Sequence, residues 1–183
     1  MRRLFVAVHP PAAAREHLAA ELAGLRGTAG EPRWTAPERW HLTLLFVGAV
    51  PDRQVAGLTA ALGADIVAGA PARLRLAGAG RFGTVRRPQV AWVGVDGDLA
   101  ALGDLAARLA RTARRLRLEV EERPFRPHLT VGRWPPGRPA DGRLTDRLAG
   151  YRGPDWPVDA VRLLESRLGA RPPYPVLARW PLT

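Results

Sequence analysis

An α+β fold built on antiparallel strands is what this sequence predicts, and three observations carry the prediction. Strand-like and helix-like segments are interleaved, yet they do not alternate as regular β-α-β units. The strand-like runs are short and rich in aromatic and β-branched residues, whereas the helical ones repeat apolar residues every three or four positions. One tetrapeptide pattern occurs twice inside predicted strands, once in each half of the chain, which points to two related lobes.

Leu4 to Val8 is an apolar run that ends at Pro10-Pro11, a strand entering a helix. The run is too short for a signal peptide. Ala14, Leu18, Leu22 and Leu25 then follow at helical spacing up to a stop at Gly27. After a loop over 30–37, Trp40 to Val47 reads as a strand closed by Gly48. Asp52 is placed to cap a second helix with Val55, Leu58 and Leu62 on one face. Arg73 to Leu76 and Val90 to Val95 read as strands, separated by a Gly- and Arg-rich loop from Gly78 to Pro88. Asp98 would cap the clearest helix, whose stripe is Leu99, Leu102, Ala106, Leu109, Ala113 and Leu116. Its arginines cluster late, as the helix dipole favours. Leu118 to Glu122 reads as a short strand and Phe125 to Trp134 as a longer one. Residues 135–154 read as a loop with one helical turn. Val158 to Leu168 and Tyr174 to Leu182 close the chain as strands.

Composition excludes several chemistries. The 183 residues contain no Cys, hence no thiol nucleophile and no Cys-based metal site. All 28 basic residues are arginine, so a P-loop lysine and a Schiff base are also excluded. Ser166 is the only serine and has no nucleophile-elbow context. The net charge of +11 suits a polyanionic partner, although arginine-rich composition alone produces the same number. No apolar run reaches the length of a membrane span, and the expected location is cytoplasmic.

The repeated pattern is His41-Leu42-Thr43-Leu44 and His128-Leu129-Thr130-Val131. Side chains alternate along a strand, so the His and Thr of each copy point to one face. By the same parity Leu45 and Val47 share the face of His41, while Trp40, Leu42, Leu44 and Phe46 face helices. In the second copy Arg126 and Gly132 share the face of His128, opposite Phe125, Leu129 and Val131. Two lobes facing each other would line one cleft with two imidazoles and two hydroxyls. That set suits in-line displacement at phosphorus. One histidine acts as base on the entering oxygen and the other as acid on the leaving oxygen. The hydroxyls hold the non-bridging oxygens. The sequence offers no metal-ligand cluster, and no cofactor is expected. A lone His-x-Thr usually just packs in a strand; the duplication changes that reading. His9, at a strand end, and His17, in a helix, read as structural and surface residues.

The paired HLTL and HLTV motifs resemble the H-x-T-x signatures of the two-histidine (2H) phosphoesterase superfamily. The closest group is the bacterial and archaeal RNA 2′,3′-cyclic phosphodiesterases, historically called 2′-5′ RNA ligases. The stretches WHLTLLFVG, RFGTVRRPQVAWVGV and PFRPHLTVGR and both chain ends resemble that group in the same order. Gly83 departs from it, standing where proline is frequent, and the tail is Pro-rich. The resemblance implies one bilobal domain over 1–183. Two antiparallel sheets related by pseudo-two-fold symmetry would flank a central cleft, with helices outside. It implies His41 as proton donor, His128 as proton acceptor that activates water, and Thr43 and Thr130 as phosphate ligands. Arg126 joins them as a phosphate contact by strand parity alone. Arg133 ends the family-like segment, but parity sets it on the opposite face. Phe46 and Tyr174 are candidates for base stacking, and the arginines of 81–87 for RNA-backbone contacts. The expected substrate is RNA with a 2′,3′-cyclic phosphate end, opened to a 2′-phosphate by a monomer, with weak reverse ligation. Small nucleotide cyclic phosphates and a non-catalytic RNA-binding module are the alternatives.

Overall fold

The computed structural model describes residues 1–68, 72–120, 124–167, 169 and 174–182. The strands are β1 (Arg2–Val8), β2 (Arg33–Trp34), β3 (Leu42–Val50), β4 (Arg73–Gly83), β5 (Pro88–Gly97), β6 (His128–Arg133), β7 (Trp156–Pro157), β8 (Ala160–Glu165) and β9 (Val176–Pro181). The helices are α1 (Ala12–Ala23), α2 (Asp52–Val67) and α3 (Leu99–Arg115), with 3-10 turns at Pro37–Arg39 and Gly142–Leu148. All pairings are antiparallel, as the sequence predicts.

Two four-stranded halves, β3-β1-β8-β9 and β6-β5-β4-β7, carry the predicted two-lobed symmetry. They are not separate sheets. β3 and β6 join them into one continuous sheet through a single register pair, Leu42 with Leu129. β2 pairs with β6 further along the same edge, through Arg33–Arg133 and Trp34–Gly132.

Helix formation follows the apolar stripes. α1 buries Ala14, Leu18 and Leu22, and α3 buries Leu102, Leu105, Ala106, Leu109 and Ala113. α3 lies between α2 and β3, and Thr112 Oγ1 donates to Asp65 of α2. Neither expected aspartate cap forms. Asp52 opens α2, and its carboxylate accepts from Arg2 Nε at 3.0 Å. Asp98 accepts instead from the backbone N–H of Arg73 at 2.8 Å. Among the described residues no helix is long and apolar enough to cross a membrane.

The Gly-rich stretch from Gly78 is strand rather than loop, and only 84–87 turns the β4–β5 hairpin. The glycines make room instead of adding freedom: a Cβ on Gly80 would lie 2.4 Å from the Trp92 ring. A one-residue bulge between Leu76 and Ala79 accommodates Gly78 at φ +64°. Residues 118–120 are not strand, and Glu121 and Glu122 lie outside the described residues, as does Leu168.

α2 is tied to the edge strand β9 at Gly63, where a Cβ would meet Trp180 Nε1 at 2.6 Å. An exposed mid-helix Gly→Ala change ordinarily stabilises by about 0.5–1 kcal/mol. Here the gain is opposed by overpacking of about 1–3 kcal/mol. Gly63→Ala is therefore expected to lower stability in urea unfolding. A stabilised variant would show that Trp180 yields freely.

Candidate active site

The two motifs cross at the pair that joins the halves. With Leu42 opposite Leu129, continuing the antiparallel register sets His41 opposite Thr130 and Thr43 opposite His128. Leu42 and Leu129 are both buried in the core. Their neighbours on either side therefore face the other surface of the sheet. The four residues predicted from the repeat are brought together, in a crosswise arrangement of His beside Thr.

Each imidazole is held the same way. His41 Nδ1 lies 2.8 Å from the Arg39 carbonyl and His128 Nδ1 lies 2.7 Å from the Arg126 carbonyl. A carbonyl only accepts, so Nδ1 carries the proton in both rings and Nε2 is the atom left to gain or lose one. Aromatic neighbours fix the rings further. Phe5 and Tyr174 stand 5.0 and 5.4 Å from His41, and Phe82 meets His128 edge-on at 5.0 Å.

Strand parity holds within each His-x-Thr and fails just beyond it. Against β1, Ala7 pairs with Thr43, Val6 with Leu45 and Phe5 with Phe46, so Leu44 and Val47 are bulged residues. The register therefore returns Phe46 to the face of Thr43 and turns Leu45 to the core face, reversing the regular-strand expectation. Phe46 is 40% exposed there, with the Arg3 guanidinium 5.6 Å above its ring. A third bulge, at Val131, lies opposite the Ala91–Trp92 step of β5. It puts Arg133 on the face of His128 and Thr130, and packs Gly132 against Pro32 on the other side. Arg133 is the residue that simple alternation misplaces.

Arg126 precedes β6 rather than lying in it, but it lines the same groove as Thr43 and His128 and is exposed. Tyr174 stacks with Arg39, whose guanidinium carbon lies 5.3 Å from the ring centre. Of the arginines in 81–87, Arg81 is committed elsewhere. Its Nη1 donates to the Gly142 carbonyl at 2.9 Å and to Asp146 at 2.7 Å. Arg86 and Arg87 are exposed on the hairpin turn. His17 lies apart, within 3.2 Å of the Tyr151 hydroxyl.

His9 belongs to this neighbourhood, contrary to its reading as a bystander. Val8 pairs with Leu42, so the next residue of each strand end is a histidine, and the two rings lie 6.0 Å apart. Only the pairing of β1 with β3 carries that signal. Among the described residues, buried His9 Nδ1 has no hydrogen-bond partner. Burial, then Arg162, His41 and Arg15, lower its pKa to about 4, opposed by Asp159. Burial also lowers the His41 pKa, as do the charges of Arg39, His128 and Arg133. The hydrogen bond to the Arg39 carbonyl works the other way. Positive charge thus surrounds His9 and His41, and both resist taking up a proton.

The family model of the 2′-5′ RNA ligase superfamily matches residues 10–170. An RNA 2′,3′-cyclic phosphodiesterase of Thermus thermophilus is 32% identical over 188 residues, covering 98% of this chain and 90% of that protein. One of Geobacillus stearothermophilus is 32% identical over 150 residues, covering 81% of this chain but 47% of that protein, so the match spans about half of that relative. The crystal structure of E. coli LigT complexed with 3′-AMP superimposes with a TM-score of 0.78. It is 28% identical, and the superposition covers 100% of this chain and 98% of that one.

The lowered His9 pKa has a consequence for stability. Between pH 6.5 and about 4 the unfolded chain takes up a proton that folded His9 refuses. The stability held above pH 6.5 is therefore lost as the pH falls through that window, and His41 adds in the same direction. Melting temperatures across this range should fall with acidification, and His9→Gln should flatten the fall. An equally steep fall in that variant would assign the effect to other groups.

Proposed function

The chain belongs to the 2′-5′ RNA ligase superfamily, and from that membership we propose that it hydrolyses the 2′,3′-cyclic phosphate end of RNA by acid–base catalysis between His41 and His128. The observation that carries the reading is the crosswise set at the Leu42–Leu129 crossing. There, two imidazoles with Nδ1 already committed each have a hydroxyl opposite. The RNA 2′,3′-cyclic phosphodiesterase activity of the Thermus and Geobacillus relatives supplies the substrate class.

In this mechanism neutral His128 takes a proton from water through Nε2 as the water oxygen attacks phosphorus. Protonated His41 gives its Nε2 proton to the departing ribose oxygen. The bond from phosphorus to the 3′-oxygen breaks, leaving a 2′-phosphate and a free 3′-hydroxyl. The donor and acceptor roles follow from the family resemblance; the near-symmetry of the cleft is compatible with either sense. Thr43 and Thr130 donate to the non-bridging oxygens, where charge builds up in the transition state. Arg133, on the same face through its bulge, neutralises that charge, with Arg126 at the groove side.

His41 needs a proton to act as acid, while burial and the neighbouring Arg39 and Arg133 guanidiniums oppose it. The phosphate anion reverses that balance, so substrate binding itself arms the acid. Among the described residues no group of three or more His, Cys, Asp or Glu is arranged to hold a metal ion. With the 5′-hydroxyl of a second strand in place of water, the same attack on phosphorus gives a 2′-5′ linkage, His128 taking the hydroxyl proton and His41 protonating the departing 3′-oxygen, a weak and reversible ligation.

His41→Ala and His128→Ala should each lower kcat by about 10²–10⁴, the usual worth of a general acid or base, while folding stays largely intact by circular dichroism. Wild-type rates in either folded variant would refute the assignment. Phosphorus NMR of the product should show a 2′-phosphomonoester, formed at the same rate after exhaustive chelation. A 3′-phosphate product would reverse the acid and base roles. Loss of activity on chelation, with recovery on adding Mn²⁺, would replace this mechanism by a metal-assisted one.

A further inference from the structure

We infer that the groove running from His128 along α3 is a binding site for the RNA strand on the 5′ side of the terminal cyclic phosphate, which makes the protein selective for oligonucleotides over mononucleotides. The inference rests on the activity proposed above and names which form of that substrate the site takes. The groove has a volume of about 670 Å³. Thr43 and His128 are part of its lining, so whatever fills it is contiguous with the reacting phosphate. A strand that ends in a 2′,3′-cyclic phosphate continues in the 5′ direction alone. A groove leading away from the phosphorus therefore receives the terminal nucleoside and what precedes it.

The lining combines aromatic, small and cationic side chains. Phe46, Phe82 and Phe125 give aromatic surface on which a base can stack, and Phe82 itself meets His128 edge-on. Ala106, Ala107 and Ala110 of α3 keep the wall low, because larger side chains there would fill the channel. Arg111 and Arg114 follow one turn further along the same helix face, and both are exposed. From Ala107 to Arg114 the helix rises about 10 Å. Arg111 and Arg114 are not part of the His–Thr crossing, and a longer strand brings them a phosphate that a mononucleotide lacks. Their fork geometry matches the next phosphodiester of a longer strand. A groove that pairs aromatic surface with exposed cations has the charge pattern of a single strand, bases inward and backbone at the rim.

The test compares kcat/KM for a 2′,3′-cyclic mononucleotide and for a short oligoribonucleotide ending in the same cyclic nucleotide. The wild type should favour the oligonucleotide by at least about tenfold, and Arg111→Ala/Arg114→Ala should remove most of that preference. The mononucleotide rate serves as the control for a folded site. Ala107→Trp, at an exposed helix position, should obstruct the same groove and lower the oligonucleotide rate selectively. The oligonucleotide KM should also rise with salt, by a log–log slope that is smaller in the double variant by up to about 1.4. Equal kcat/KM for the two substrates, or a preference untouched by the double variant and by Ala107→Trp, would overturn the inference while leaving the catalytic reading in place. Hydrolysis of neither substrate would overturn the catalytic reading, and this one with it.

Discussion

The antiparallel pairing of Leu42 with Leu129 is the constraint on which the rest of the site depends. Both leucines are buried, and their burial decides which way the neighbouring histidines and threonines face. A slip of one residue in this pairing would take the leucines out of the core and the imidazoles off the cleft surface. The site is therefore specified by hydrophobic burial on one face of the sheet as much as by the polar residues on the other. The rest of each half acts as support: β1 and β8 brace β3, while β5 and β4 brace β6.

Electrostatics adds the second condition. His9, His41 and several arginines crowd one end of the sheet, and each positive charge makes the next more costly. His9 answers by staying neutral near physiological pH. An anion entering such a site relieves repulsion that the fold had to overcome. The electropositive character of the chain is thus focused where phosphate would bind, beyond the compositional excess of arginine.

The sequence made the two motifs legible because nothing interrupts alternation between His41 and Thr43, or between His128 and Thr130. Three single-residue bulges, at Leu44, Val47 and Val131, lie immediately after those pairs and reverse the facing of Phe46 and Arg133. A bulge is defined by the partner strand, so a pattern read along one strand passes over it. The same holds for His9, adjacent to His41 only through β1–β3 pairing, and for the groove, which needs α3 to lie beside β3. The glycines of β4 were misleading for a different reason. Gly80 is small to admit Trp92, a packing demand that resembles loop composition when read locally.

The anchoring of each imidazole to a carbonyl two residues upstream separates two kinds of control. That bond lies within one segment of chain, whereas the spacing of the two rings is set by the pairing of β3 with β6. A substitution that shifts this pairing would alter the distance between the two Nε2 atoms but leave each tautomer as it was. Mechanically, the joint governs distance while the local turn governs protonation.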